Sequence, residues 1–448
     1  MGVPVVIVPS GGLPVTVASN GLGTPMEVAA NGYGIPVSFV SSGGLPVFGI
    51  TDDPFTLFTH VVDFATPATI GDVAMLYTNN SNDGRPFREQ TNFTACFVEN
   101  AAGLLVSVPS SAVRRSDRGY WSYPRGTNRC LWNCDIPGGI SAGVWVSSGG
   151  GVTAFKDQTG GDNTANSASR LVSGGANARL TQSVTLAQTN LLFQMRARRL
   201  VGTGKVNFTL DNWTTKTDVT SLLGSTSWGL PFAAQDTVTN PQFGVEFEAS
   251  GDQIAVEFGD VWSTLVSGSQ VSRKPQRYYA RQTTAAANIA QSRPAAISTD
   301  AGSWNGTGGS RFLTPYALYA EVSSEGNAGS CGVVTGITDT FCTILPDGSV
   351  TFAQGGGISA SVPAGTFVFG LGTVNKIGAQ VNASGQKQLA VNGVVSSVAT
   401  GGTFPASLAH IDIATNGVGS RSLWGPMKKI AIEPNVFLTT AQLQKLTT

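Results

Sequence analysis

Gly244-Val245-Glu246-Phe247-Glu248-Ala249 alternates apolar and acidic side chains between two small flanking residues. Successive side chains of a strand point to opposite faces, which predicts Val245 and Phe247 inward and Glu246 and Glu248 outward. The surrounding residues follow the same period, with strands expected at 143–146, 178–184, 190–198, 204–210 and 253–258. Strand number and turn spacing predict a two-sheet jelly-roll sandwich over 128–272.

Residues 273–310 break the pattern. Arg273-Lys274-Pro275, an alanine-rich run to Ala296 and Gly306-Thr307-Gly308-Gly309 read as a linker over a surface. A second β-rich block fills 311–448, with strands expected at 316–322, 332–336, 341–345, 350–353, 366–371, 376–382, 387–391 and 428–432. Its turns are signalled by Pro346-Asp347-Gly348 and Asn392-Gly393. Thr439-Thr440-Ala441-Gln442 has capping-box spacing and predicts one short helix over 440–446. On the amino-terminal side, 51–127 reads as a collar carrying a hairpin, 93–99 and 104–108, that turns at Asn100-Ala101-Ala102-Gly103. The fold class is all-β: an arm of strand repeats, two β-sandwiches and one short carboxy-terminal helix.

The arm, 1–50, writes Gly-x-Pro plus an apolar residue five times, with Pro4, Pro14, Pro25, Pro36 and Pro46 spaced 10, 11, 11 and 10 residues apart. Val15/Val17, Met26/Val28 and Val37/Phe39 fall on one face of the short alternations that follow, and steps such as Ser10-Gly11-Gly12 and Ser42-Gly43-Gly44 separate the copies. This is a repeated strand-and-turn unit with proline at strand entry, as on edge strands. Each repeat offers two or three apolar side chains, worth about 1.5–3 kcal/mol each at best. Ordering its backbone costs about 1–2 kcal/mol per residue. The arm is therefore expected to be stable only in company. Three copies can bury the apolar face in a shared prism that one copy cannot form, so a homotrimer is expected. The prolines and apolar residues just named would then mediate attachment and oligomerisation.

Composition narrows the function. Of 448 residues only 12% are charged, the net charge is zero and Gly numbers 56. No basic tract suggests nucleic acid as a partner. No apolar run approaches the ~20 residues of a bilayer span, and the start, 3–8, lacks the basic region of a signal peptide. A soluble product made in the cytosol, with no membrane insertion, is expected. The five cysteines are an odd number for a disulfide framework. Cys130 and Cys134 are expected on one strand, about 13 Å apart and out of bridging range. A hairpin turning at Gly336-Ile337 would set Cys331 opposite Cys342 and leave a disulfide geometrically open, although free buried thiols are the expectation for such a compartment.

Little in the chain suggests catalysis. His60 and His410 are the only histidines, and neither sits in a metal-binding or nucleophile-activating spacing. No P-loop, dinucleotide or nucleophile-elbow pattern occurs, so no catalytic residue, cofactor or metal is expected. The acid pairs Glu246/Glu248 and Asp52/Asp53 have the residue type of a glycosidase, but acids two apart on an outward face read as solvated. Asp157 and Asp162 flank a Gly-rich loop and could hold calcium; isolated loop acids also read as solvated. Sugar binding needs aromatic platforms beside polar groups. Trp213 and Trp262, in or beside strands, read as core. Trp121 and Tyr123, in Gly119-Tyr120-Trp121-Ser122-Tyr123, and Trp304, in Ser303-Trp304-Asn305-Gly306, read as loop residues and are the glycan-binding candidates.

Three stretches resemble a modular family of tailed-bacteriophage virion fibres and spikes. Phe93-Thr94-Ala95-Cys96-Phe97-Val98-Glu99 through Leu104-Leu105, with Thr127-Asn128-Arg129-Cys130-Leu131-Trp132-Asn133-Cys134, is similar to the hairpin that leads into the family's glycan-binding-like jelly roll. The jelly roll itself contributes Leu180-Thr181-Gln182-Ser183-Val184 and Gly251-Asp252-Gln253-Ile254, and 279–296 is similar to its exit linker. Val391-Asn392-Gly393-Val394 and Gly425-Pro426-Met427-Lys428-Lys429-Ile430-Ala431-Ile432-Glu433-Pro434 through Leu446 are similar to a laminin-G/concanavalin-like lectin domain. The resemblance implies a structural virion protein: a head or tail fibre or spike, joined to a capsid or tail protein through 1–50, displayed on the particle surface and touching host-cell glycans. A capsid decoration protein is the alternative, and a polysaccharide-degrading spike enzyme the third reading.

Overall fold

The alternation around Gly244 is a strand, Gln242–Phe247, at the centre of a five-stranded antiparallel sheet. The computed structural model describes residues 54–58, 61–65, 95–109, 114–123, 126–263, 265–266, 269–270, 274–281, 316–326, 331–336, 340–353, 358–401, 410–414, 423–434 and 436–448, with short strand segments at 6–7, 15–16, 38–39, 47–48, 76–78, 87–89, 290–291 and 297–300. The chain parts into two compact units, Met1–Thr56 and Leu57–Thr448.

Within the larger unit, the sheet of Gln242–Phe247 runs in the order Val146–Ser148, Ala178–Ser183, Gln242–Phe247, Val206–Thr209, Thr217–Asp218. A second sheet runs Val152–Gln158, Ala168–Ser173, Gln253–Ser263, Thr189–Val201, Phe232–Val238. Their inner faces share one core. Leu180, Phe208, Phe243, Val245 and Phe247 meet Leu191, Phe193, Met195, Ile254 and Val256. The Phe193 ring lies 4.8 Å from Phe208 and 5.2 Å from Phe243 across the gap. Each such side chain contributes about 1.5–3 kcal/mol by leaving water. Val245 and Phe247 face inward as predicted, whereas Glu246 is fully buried rather than solvated.

The stretch expected as a strand at 128–134 is instead a series of turns, with Trp132 at φ 52°, and it feeds the helix Ile136–Ser141. Gln182 replaces a ladder partner there. Its Oε1 accepts from Leu131 N at 2.8 Å and its Nε2 donates to Leu131 O at 2.9 Å. The Asp135 side chain caps the helix by accepting from Gly138 N at 3.2 Å. Gly139 allows the helix to close on two indoles, since a Cβ there would lie 2.5 Å from Trp145 and 2.8 Å from Trp132. Cys130 and Cys134 are both buried and not joined in a disulfide.

The carboxy-terminal part is a second pair of sheets. One has Gly425–Pro434 and Tyr316–Val322 side by side at its centre, followed by Asn375–Val381, Lys387–Val391 and Val394–Val395. Leu318, Ala320, Ile377, Ala379, Leu389, Ile430 and Ile432 share its core. The other runs Ala360–Val362, Val350–Phe352, Thr340–Ile344, Cys331–Gly336, His410–Ile413, Ile297–Asp300, Phe87–Glu89, Leu76–Thr78. Ile297–Asp300, expected as linker, is thus a sheet strand. The expected strand at 366–371 is not formed, because Asn375 occupies the backbone groups a ladder would use. Its Oδ1 accepts from Val368 N at 2.8 Å and its Nδ2 donates to Val368 O at 2.9 Å. Register shifts place Cys342 opposite Val334 and Cys331 opposite Ile344, and Cys342 is a buried free thiol, so the cross-strand bridge is not made. The helix Thr440–Thr447 begins at the predicted capping box of Thr439 and Gln442, and its Leu443 and Leu446 pack over Gly378.

Parts of 51–127 join both halves. Val61–Asp63 and Gly119–Ser122 each pair with Gly425–Pro434. The hairpin Cys96–Glu99 and Leu105–Val108 gains Tyr278–Tyr279 as a third strand. Cys96, Val98 and Val108 enter the carboxy-terminal core, and Leu105 and Phe97 pack with Phe258 and Tyr279 of the other side.

In the smaller unit, Val6–Ile7 pairs antiparallel with Val15–Thr16 and Ser38–Phe39 with Val47–Phe48. The first pairing brackets Ser10-Gly11-Gly12 in the chain and the second brackets Ser42-Gly43-Gly44. Of the expected attachment residues, Val15 and Phe39 lie on these strands; Pro4, Pro14, Val17, Pro25, Met26, Val28, Pro36, Val37 and Pro46 lie outside the described residues. Among the described residues no helix is long and apolar enough to cross a membrane.

Candidate functional site

On the outer face of the first sheet, the strand register lines up a polar row. Arg179 is opposite Glu246, Glu246 opposite Asn207, and Asn207 opposite Asp218. Cross-strand neighbours of this kind are within direct side-chain reach. Arg179 Nε donates to Glu246 Oε2 at 2.7 Å, and Asn207 Nδ2 donates to Glu246 Oε1 at 3.3 Å and to Glu248 Oε1 at 3.1 Å. Lys216, just before the edge strand, adds Nζ to Glu246 Oε1 at 2.6 Å.

Beside this row sits an indole. The Arg179 guanidinium lies 5.1 Å from the Trp213 ring centroid, and Trp213 is half-buried. Its loop is fixed by Asp211, whose Oδ1 accepts from Thr215 N at 2.8 Å and whose Oδ2 accepts from Gln235 Nε2 at 2.8 Å. Trp213 N donates to Thr209 Oγ1 at 3.0 Å. Asn212 and Trp213 both take left-handed φ, 55° and 69°, which turns the indole back over the sheet.

The charges divide by depth. The Glu246 side chain is 0% exposed, while Arg179 and Lys216 above it are 33% and 37% exposed. Burial opposes ionisation of Glu246, but the bonds from Lys216, Arg179 and Asn207 overcome it and hold the carboxyl below the usual range. Burial likewise opposes ionisation of Asp211, and bonds from Thr215, Gln235 and Thr209 pull its carboxyl down. Glu246 is therefore an anchored anion that positions two cations and not a proton donor. A ligand reaching this face meets a guanidinium, an ammonium and an indole, the combination that suits a sugar: donors for hydroxyl and ring oxygens, and a π-face for C–H groups.

The expected platforms lie elsewhere. Trp121 and Tyr123 are 0% and 1% exposed and belong to the carboxy-terminal core. Gly119–Ser122 is a strand against Gly425–Pro434, with Gly119 so close that a Cβ would meet Met427 O at 2.2 Å. Trp121 donates Nε1–H to Ser116 Oγ at 2.9 Å and stacks on Tyr123, which meets Trp424 edge-on. Trp304 lies outside the described residues, as do His60, Asp52 and Asp53. Trp262 is core as read, but Trp213 is not. His410 opens the strand His410–Ile413. Asp157 pairs with Arg170 and Asp162 with Arg281, so guanidinium groups hold the place proposed for calcium. Among the described residues no group of three His, Cys, Asp or Glu side chains could hold a metal.

No protein-family model and no curated protein matches the chain. Solved structures with a partial likeness include a Trypanosoma rangeli sialidase bound to difluorosialic acid, at 14% identity and TM-score 0.24, covering 30% of this chain and 22% of the sialidase. The carboxy-terminal CBM6 module of a Zobellia galactanivorans laminarinase is 15% identical at TM-score 0.19, covering 26% of this chain and 91% of the module. The tandem CBM22 modules of Paenibacillus barcinonensis Xyn10C are 10% identical at TM-score 0.24, covering 71% and 100% of the two chains. Matches to this sialidase cover between 22% and 60% of its length. The β-sandwich architecture rests on this chain's own sheets.

Proposed function

We propose that this chain is a carbohydrate-binding structural protein of a bacteriophage particle, a surface fibre or spike that presents the Glu246 face to host glycans. The observation that carries the binding role is the Trp213–Arg179–Glu246 array, a half-buried indole and two cations fixed over a buried carboxylate. The particle context is supported by the sequence resemblance and by an arm whose described ladders are only two residues long, too thin to stand alone. The same thinness supports homotrimerisation and anchoring through 1–50 as part of this reading.

The binding role is tested on an array of bacterial surface oligosaccharides with the full chain, Trp213→Ala and Glu246→Gln. Binding by the full chain that drops at least tenfold in both variants is expected; equal binding by all three removes this face from the reading. Removing residues 1–50 is expected to leave soluble sandwiches that no longer incorporate into particles, as read by mass spectrometry of purified virions. Normal incorporation would assign attachment to another part of the chain.

A further inference from the structure

A recess of ≈ 400 Å³ opens on the carboxy-terminal sandwich between the sheet edge and the start of the last helix, lined by Gln386, Gln388, Val398, Phe437, Thr439 and Thr440. No charged side chain lines it, in contrast to the Glu246 face. Its floor is held rigid. Gln380 sits opposite Gln388 in the strand register, and its side chain clamps the backbone of Leu438, accepting from Leu438 N at 2.7 Å and donating to Leu438 O at 2.9 Å. Gln388 Nε2 donates to Thr440 Oγ1 at 3.1 Å, and Gln380 Nε2 donates to Gln388 Oε1 at 3.3 Å. Both amides are buried and satisfied.

Gln386 differs. Asn382 Nδ2 donates to its Oε1 at 2.6 Å, which fixes the amide plane, and its Nε2 has no acceptor among the described residues. Phe437 and Val398 are 38% and 48% exposed at the same recess. A fixed N–H donor that reaches solvent beside two exposed apolar groups, with no charge in the lining, suits a neutral ligand that joins a carbonyl acceptor to a small apolar group.

We propose that this recess takes the acetamido group of an N-acetylated amino sugar, with its carbonyl on Gln386 Nε2 and its methyl against Phe437 and Val398. The inference shares with the preceding reading the premise of glycan binding and uses none of the residues of the Glu246 face.

The probe is N-acetylglucosamine, with glucose as the control lacking the acetamide, in saturation-transfer NMR on the full chain. The acetyl methyl protons are expected to receive the largest transfer, and glucose little. Gln386→Glu keeps the acceptor for Asn382 but removes the donor, and Phe437→Ala removes the apolar wall; each is expected to weaken binding at least fivefold, with an unchanged circular-dichroism spectrum. Equal transfer to glucose and N-acetylglucosamine, or full binding in both variants, overturns the proposal. If a Glu246-dependent ligand is found while N-acetylglucosamine gives no transfer, this inference alone falls. If N-acetylglucosamine binding is lost in Phe437→Ala while no Glu246-dependent ligand exists, this inference stands and the earlier reading falls.

Discussion

The two sheets of the first sandwich carry the same kinds of side chain on their outer faces, and the surroundings give them different work. On one sheet, Glu246 pairs with Arg179 and Lys216, whose side chains remain about a third exposed. On the other, Arg196 Nη1 donates to Glu257 Oε2 at 2.6 Å and Arg196 Nε donates to Glu99 Oε1 at 3.4 Å, with all three side chains buried. There the hairpin at 96–108 and the returning segment at 275–281 cover the face. Arg277 continues the chain of charges across the joint, donating Nη1–H to Glu99 Oε2 at 2.9 Å and Nε–H to Glu325 Oε1 at 2.8 Å. Tyr279 OH donates to Glu99 Oε1 at 2.9 Å. An open ion cluster can meet a ligand. A covered one can only fix the geometry between the sandwiches.

That contrast breaks most visibly at Arg277. Arg277→Ala leaves the buried Glu99 and the largely covered Glu325 beside one fewer cation, and breaking a buried pair from one side costs up to about 3–5 kcal/mol. Urea unfolding of the full chain is expected to show a loss of that size, or an earlier, separate transition of the carboxy-terminal sandwich. A change under ~1 kcal/mol would mean that water reaches the joint and that it resembles the open face after all.

Asp260 gives the next largest effect. It lies under the same cover and meets only neutral donors: Asn128 Nδ2 at 2.5 Å, Gln194 Nε2 at 3.2 Å and Asn133 Nδ2 at 3.4 Å. Burial pushes its carboxyl up to about 7, against the pull of those three amides. The native state therefore holds this proton more tightly than the unfolded chain, whose Asp titrates near ~3.9. Its contribution is complete below about pH 4 and is lost as pH rises through about 7. The fall is bounded at about 4 kcal/mol by the linkage of 1.36 kcal/mol per unit. Asp260→Asn should flatten the slope, so that wild-type stability minus variant stability is more positive at pH 5 than at pH 8 in thermal melts. A constant gap would show that Asp260 does not titrate in this range.

The sequence made the inward face of the sandwich readable, because Val245 and Phe247 alternate with polar residues on one strand. It hid the partners of Glu246, which lie 67, 39 and 30 residues away at Arg179, Asn207 and Lys216. An isolated outward glutamate looks solvated until those strands are set beside it. Trp213 was legible in principle: Asp211-Asn212 just before it are turn formers, and the turn lifts the indole off the strand end. Trp121 and Tyr123 misled for the opposite reason. Gly119–Ser122 is buried on both faces, so no polar alternation marks it as a strand. Val152–Gln158 escapes the sequence reading because Lys156 falls on the inner side of the alternation, where its Nζ donates to Cys134 O, and a lysine there does not mark a buried strand face. Side chains that bridge backbone, such as Asn375 on Val368 and Gln182 on Leu131, have no one-dimensional signature. They account for the strands expected at 366–371 and 128–134 that did not form.

The smallest expected effect sharpens the contrast on the open side. Trp213→Ala removes a cation–π contact worth about 0.5–1 kcal/mol at a half-exposed site. It leaves the Arg179–Glu246 bond in place. Glu246→Gln leaves Arg179 and Lys216 without a counter-charge, but both reach solvent, so about 1 kcal/mol is expected. A double-mutant cycle by urea unfolding then reports the coupling between indole and carboxylate through Arg179. A coupling below ~0.5 kcal/mol is the mark of independent sites. It would assign any large loss of glycan binding in Trp213→Ala to the missing platform. A coupling above ~1 kcal/mol would show that Trp213 acts by holding Arg179, and the open face would then share the structural role of the covered one.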